Sequence, residues 1–218
     1  MQILSKEIPN RIIIGTIYAS LFLYSSQSKS LIFLIILLSF FLIKSLIEFY
    51  NIIKNSKNIL LNLFIPIIYI IIPISCLFLI KFQFENGKNL LTFLIILIWV
   101  SDVSAYIIGR LIGRTKLTSI SPNKTVEGFI GSLIISMIVG PSLIKYFNIE
   151  FYINLYLLSF SISLFGNLGD YFESLLKRSF NKKDSGKILM SHGGILDRID
   201  SLLLSSPIFY LILKNYLN

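Results

Sequence analysis

The chain has 218 residues, 55% of them hydrophobic and 14% charged, with a mean hydropathy of +0.79. A soluble domain averages roughly 25% charged residues, so this composition belongs to a chain built for lipid. Its net charge of +9 does not point to nucleic acid, because the basic residues lie between apolar runs, where anionic headgroups and nucleotides are the fitting partners.

Residues 12–28 hold no charge and follow Arg11. No A-x-A-like cleavage site comes after them and further apolar runs do, which predicts a short first span rather than a signal peptide. A second span is expected over 31–50, with Lys44 and Glu48 near its end. The third, 59–80, is uncharged and contains Pro66 and Pro73, which predict kinks or a break that neighbouring helices satisfy. Cys76 lies in this run; as the only cysteine it excludes an internal disulfide and reads as packing. A fourth span runs from Asn89 to Gly109 and carries Asp102; the others are expected over 128–146, 151–169 and 201–216. Each approaches or reaches the ~20 residues that cross a ~30 Å hydrocarbon core, so the expected fold is an all-α polytopic membrane protein of about seven transmembrane helices. With no internal repeat, long linker or soluble segment, residues 1–218 read as one membrane domain, with N-terminal spans over 1–90 and a chemistry-bearing half over 100–205.

On that reading with the N-terminus inside, 15 of the 20 Lys and Arg residues fall in cytoplasmic segments; Lys29, Lys81, Lys88, Lys145 and Lys214 do not. The positive-inside rule then selects a cytoplasmic N-terminus. The two richest polar segments, 110–127 and 170–200, share that face.

Asp102 lies inside its predicted span, where an unpaired charge costs a few kcal/mol or more, and intramembrane carboxylates default to function. A structural Asp bonded between helices is the plainer account. Gly109 and Gly113 permit close helix approach, a common spacing that is weak alone. In SPNKTVEG, Ser121, Pro122 and Asn123 suit a turn, and Lys124 and Thr125 lead into a helix with Glu127 in its first turn. Exposed N–H groups at a helix start, with Lys and two hydroxyls, form a phosphate cradle; ordinary capping is the competing account. The Walker A pattern is absent.

In residues 170–200 eleven of 31 positions are charged. At ~100° per residue Asp170, Glu173, Ser174, Lys177 and Arg178 share one arc of a helix. Asp197 and Asp200, three apart, present a second carboxylate pair. Between them lie Gly186, Gly193, Gly194, Lys182, Lys183, Lys187 and the single histidine, His192. Paired carboxylates beside several cations suit a hard divalent ion shared with phosphate oxygens. A solvated loop of surface salt bridges is the bland alternative.

ESLLKR, KDSG and HGGILDRID at this spacing, with SPNKTVEG and the stretch D-x-x-A-Y-x-x-G-R from Asp102, resemble the phosphatidate cytidylyltransferases (CDP-diacylglycerol synthases). The likeness covers residues 100–205; Met190 and Ser191 depart from it, standing where the family commonly has Pro and Gly. It implies transfer of a cytidylyl group from CTP to phosphatidic acid, with CDP-diacylglycerol and pyrophosphate as products, by a multi-pass protein of the inner (plasma) membrane. It also implies a homodimer and one or two Mg²⁺ ions. On this resemblance Asp170, Asp197 and Asp200 are the leading metal ligands, with Glu173 and Asp102 as further ones. Ser121, Lys124, Thr125, Lys177, Arg178 and Lys183 are assigned to CTP phosphates, and Arg198 to phosphate or to holding the carboxylates. His192 orients its turn or touches a phosphate. It is not assigned as a general base, because the attacking phosphate is already ionised.

The alternative within lipid metabolism is a CTP-dependent polyprenol or dolichol kinase, whose alcohol nucleophile would need a base such as His192 or Asp102. The D-G-x-x-A-R…G-x-x-x-D-x-x-x-D pattern of CDP-alcohol phosphotransferases is missing. A transporter built on Asp102 and the prolines is disfavoured, since the charges lie in the polar segments and no inverted repeat is present.

Overall fold

The computed structural model describes residues 2–54, 56, 58–118, 120–150, 154–182, 184–186 and 193–216, with 2–14 and 59–61 as backbone only. The described residues form an all-α bundle. Helix α1 is Gln2–Gln27, α2 Leu31–Ile53 and α3 Ile59–Pro66; a π-helical turn, Ile67–Ile71, then leads into α4, Ile72–Gln83. The remaining helices are α5 (Gly87–Ile112), α6 (Val126–Tyr146), α7 (Leu155–Ser179) and α8 (Leu196–Tyr216).

Local chemistry sets several of these boundaries. Ser30 starts α2 by accepting the Ile32 N–H, and Asn154 starts α7 by accepting those of Tyr156 and Leu157. Pro73 has no N–H to give its helix. The preceding turn widens, and Ile72 donates to the carbonyl of Ile67. The break expected in the third run is therefore a π turn ahead of a proline.

Helix α5 is the centre, with Leu90, Leu91, Phe93, Leu94, Ile95, Leu97 and Ile98 all buried. Large apolar side chains of α2 such as Ile32, Phe33, Ile36, Ile43 and Ile47 face outward, as lipid contact requires. Close helix crossings rest on small residues: a Cβ on Gly169 would stand 2.4 Å from the Asp200 carbonyl oxygen, and one on Gly140 would stand 1.8 Å from Ser159 Oγ.

Polar contacts gather at both ends of the bundle. At one end Gln27 donates to Thr92 (2.7 Å), Asn89 to the Phe147 carbonyl (3.2 Å) and Tyr210 to Gln83 (2.7 Å). Buried Lys81 there donates to the Ser25 carbonyl at 2.6 Å, closing the end of α1. At the opposite end the C-termini of α2, α5 and α7 meet the N-termini of α6 and α8, and Tyr18 of α1 donates to the Arg198 carbonyl (3.0 Å). The described residues of segments 110–127 and 170–200 meet at this second end.

The expectation of about seven transmembrane helices is overturned. Among the described residues four helices are long and apolar enough to cross a membrane: Leu31–Ile53, Asn62–Gln83, Gly87–Ile112 and Val126–Tyr146. The reason lies in how apolar and polar stretches join. Helix α1 extends back through Lys6, Glu7 and Arg11. Helix α7 carries Asp170, Glu173, Lys177 and Arg178 without interruption, and α8 opens on Asp197, Arg198 and Asp200. Runs that read as separate spans with polar loops are single helices with one apolar and one charged section.

Candidate active site

At the polar end a cavity of about 520 Å³ lies among α5, the start of α6, α7 and the start of α8. Asp102, Asp170, Asp197 and Asp200 line it together with Lys124, Asn123, Asn167 and Arg110. Apolar wall is supplied by Ala105, Leu117 and Phe129.

The α7–α8 crossing at Gly169 brings Asp170 and Asp200 to this cavity. Asp200 is buried and accepts the Ser201 N–H at 2.8 Å. Burial, followed by the nearby charges of Asp170, Glu173 and Asp102, raises its carboxyl well above the usual range. Ser201 Oγ donates to Asp102 at 3.3 Å, linking α8 to α5. Asn167 donates to Ser101 (3.3 Å), Ser132 (3.0 Å) and the Ser163 carbonyl (2.9 Å), closing the inner side with a network across three helices.

Behind Asp197 and Asp200 stands Lys177, which donates to Glu173 Oε2 at 3.0 Å and pairs with Asp197. Glu173 is fully buried, and its Oε1 has no hydrogen-bond partner among the described residues. Burial, then the charge of Asp197, raises the Glu173 carboxyl despite Lys177. Burial opposes charge on Lys177 and on Asp197 too. The Glu173 and Asp197 carboxylates nonetheless raise Lys177, while Lys177 and the Gly194 N–H lower Asp197.

Asp197 also organises the turn before α8. Its Oδ2 accepts the N–H groups of Gly194 (2.7 Å) and Ser185 (3.2 Å). Gly193 has φ +80°, and a Cβ there would fall 2.5 Å from Asp197 Oδ2, so the turn requires glycine. On the other side stands Glu48 of α2, 2% exposed. It accepts the N–H groups of Ile195 (2.9 Å) and Leu196 (2.8 Å) and the Ser185 hydroxyl (3.1 Å).

Residues 115–117 and 124–126 pair antiparallel as the arms of a short hairpin, through the Leu117 N–H to Lys124 carbonyl bond and the Val126 N–H to Thr115 carbonyl bond. Thr125 is the N-cap of α6, accepting the Gly128 N–H at 3.1 Å. Gly109 of α5 and Gly113 just after it make room for it, since a Cβ on either would approach its hydroxyl within 2.9 Å and 2.7 Å respectively. The cap aims Lys124 at α7, where it forms an ion pair with Asp170.

Residues 5–216 match the model of the cytidylyltransferase family. The chain belongs to that family. It is 46% identical over 133 residues to a protein named phosphatidate cytidylyltransferase from Staphylococcus haemolyticus, covering 59% of this chain and 50% of that relative. Over the same length it is 47% identical to the protein of that name from Staphylococcus saprophyticus and 44% identical to that from Staphylococcus aureus, again covering 59% of this chain and 50% of each relative. The chain thus spans about half the length of the curated relatives it matches.

In this cytidylyltransferase-family chain the fold gathers Asp102, Asp170, Asp197, Asp200, Lys124 and Thr125 on one cavity, with Glu173 and Lys177 immediately behind. Ser121 sits in the turn as a backbone acceptor for the Lys124 N–H (3.0 Å) and does not line the cavity. Arg178 is exposed and donates to the carbonyls of Ile120 (3.5 Å) and Lys182 (2.9 Å), tying the hairpin to the end of α7. Arg198 is exposed in the first turn of α8 and does not line the cavity. Lys183 and His192 lie outside the described residues, as do Lys187, Met190 and Ser191. Lys182 donates to the Asn51 carbonyl of α2.

Sequence reasoning assigned no site role to Asn123, Asn167, Arg110 or Glu48. Asn123 and Arg110 lie in two of the stretches that carry the resemblance but were read there only as turn and motif positions, and Asn167 has no spacing signal. Glu48 had one: it is a carboxylate inside an apolar helix, the same feature that singled out Asp102. Among the described residues no three His, Cys, Asp or Glu side chains stand close enough to hold a metal ion in this arrangement. Lys124 and Lys177 instead occupy Asp170, Glu173 and Asp197.

Proposed function

We propose that this chain transfers the cytidylyl group of CTP to phosphatidate, producing CDP-diacylglycerol and pyrophosphate. The observation that carries the reading is the meeting of Asp102, Asp170, Asp197, Asp200 and Lys124 on one cavity at the polar end of a lipid-facing bundle. The relatives' printed name supports the same reaction.

In that reaction a phosphate oxygen of phosphatidate bonds to the α-phosphorus of CTP. The bond from that phosphorus to the bridging oxygen breaks, and pyrophosphate leaves with the electron pair. The attacking oxygen carries no proton near neutral pH, so no general base is needed. The difficulty is that two anions must approach, and the catalytic task is charge neutralisation and alignment. Lys124, presented by a capped helix start, takes the triphosphate; the N–H groups of Val126 and Gly128 at that start are already held by the Thr115 carbonyl and the Thr125 hydroxyl, so the lysine carries this contact. Lys177 holds Asp197 in place from behind, and Arg178 keeps the hairpin against α7.

The donor set fits a hard divalent cation such as magnesium in kind: four carboxylates on one cavity, Asp200 buried among like charges, and Glu173 Oε1 without a partner among the described residues. Asp170, Asp197 and Asp200, with Glu173 and Asp102, would hold it once Lys124 and Lys177 shift. Such an ion supplies positive charge to the phosphate oxygens.

The polar end is assigned to the cytoplasm, where CTP is found, which puts the start of α1 on that side as well. The phosphatidate headgroup reaches the cavity along α5, whose Tyr106, Ile107 and Leu111 face outward, so that the acyl chains remain in lipid. A homodimer belongs to the same reading, tested by the mass of the detergent-solubilised protein. The deciding experiment is pyrophosphate release from CTP by purified protein, with and without phosphatidate and Mg²⁺. Release dependent on both is expected; release of CDP with a polyprenol instead would overturn the reading.

A further inference from the structure

Glu48 lies in α2, far in sequence from every residue assigned to chemistry and away from the cavity lining. It is 2% exposed and lies within hydrogen-bond distance of three donors, the Ser185 hydroxyl and the Ile195 and Leu196 N–H groups at the start of α8. The first N–H groups of a helix have no partner within it, and a carboxylate there also meets the positive end of the helix dipole. Glu48 therefore caps α8 from another helix.

The fit is close. A Cβ on Gly186 would stand 2.5 Å from Glu48 Oε1, and one on Gly194 would stand 2.4 Å from Oε2. Asp197 holds the same two segments by accepting the Gly194 and Ser185 N–H groups. Lys182 adds a second tie to α2, at the Asn51 carbonyl. Since Asp197 follows the capped amides directly and Asp200 lies one turn further on, the direction of α8 at Glu48 sets where both carboxylates stand.

We propose that Glu48 is a positioning residue, which fixes the turn before α8 so that Asp197 and Asp200 face the cavity. The proposal deepens the cytidylyl-transfer reading and rests on it for its kinetic consequence. Replacing Glu48 by Gln keeps the side-chain volume but turns an NH₂ group toward N–H donors. Outer partners that orient ligating groups are typically worth about 10- to 100-fold in affinity or activity.

The test compares wild type, Glu48→Gln and Ser185→Ala by hydrogen exchange of the metal-free protein in detergent and by pyrophosphate release. In Glu48→Gln the amides of 193–197 are expected to exchange at least about tenfold faster, with α5 and the rest of α8 unchanged. The kcat is expected to fall about 10- to 100-fold with the KM for CTP within about twofold. Ser185→Ala removes one of the three donors and should shift both readouts the same way by a smaller factor; it decides the matter if Glu48→Gln does not yield folded protein. Wild-type exchange at 193–197, a wild-type kcat, or acceleration spread evenly over the whole bundle would overturn the proposal. If wild-type protein releases no pyrophosphate, the transfer reading fails, while the exchange comparison still decides whether Glu48 holds the turn.

Discussion

Lys124 forms an ion pair with Asp170, joining the hairpin before α6 to α7 on one wall of the cavity. Each group is about one third exposed (31% and 36%), so on the proposed function the triphosphate of CTP would compete for the lysine and release the carboxylate. Lys124→Ala is expected to raise the KM for CTP by about tenfold or more, as loss of a charge-assisted contact would. The KM for phosphatidate should move far less. Steady-state titration of each substrate at saturating partner checks this; an unchanged CTP response would remove Lys124 from the triphosphate site.

Asp200 separates activity from stability. Burial, followed by the charges of Asp170, Glu173 and Asp102, holds its carboxyl above the usual range, and Asn keeps both its shape and an acceptor for the Ser201 N–H. Asp200→Asn is expected to leave the metal-free thermal midpoint within a few degrees of wild type while lowering turnover at least about 100-fold. Melting in detergent and pyrophosphate release measure the two. A collapse of stability would assign the residue to the fold instead.

Gly169 carries the crossing that brings Asp170 to Asp200. A methyl there meets the Asp200 carbonyl oxygen at 2.4 Å, a backbone atom that cannot rotate away. Gly169→Ala is expected to destabilise the bundle by ~1–3 kcal/mol and to lower turnover in the folded fraction. Gly15, with nothing within 4 Å of its would-be Cβ, is the control, and Gly15→Ala should leave turnover unchanged. Thermal melts with activity normalised to folded protein decide it.

Arg178 is bonded to two carbonyls rather than turned into the cavity. Arg178→Ala should therefore lower turnover by only about three- to tenfold, the scale of one or two lost hydrogen bonds. The KM for CTP should stay close to wild type. A CTP effect as large as that of Lys124→Ala would mean the guanidinium reaches the nucleotide.

Much of the site was legible because its signals are local. The carboxylates of 170–200 share a helical arc or stand three apart, and SPNKTVEG combines turn residues with a helix start, so spacing and capping rules located them before any contact was known. The same locality misled in the count of spans. Hydropathy separates apolar runs from charged ones, but backbone hydrogen bonding ignores that border, and α7 and α8 pass through it without a break.

The sequence by itself determined the lipid-facing composition, the proline break in the third run and the family signature, each of which depends on neighbours along the chain. Only the tertiary structure decided which charges meet. It paired Lys124 with Asp170, stood Lys177 between Glu173 and Asp197, turned Arg178 onto carbonyls, and brought Glu48 to the start of α8. Those pairings follow from helix directions and from glycines such as Gly169 and Gly194, which let backbones approach closely enough for distant side chains to share one site.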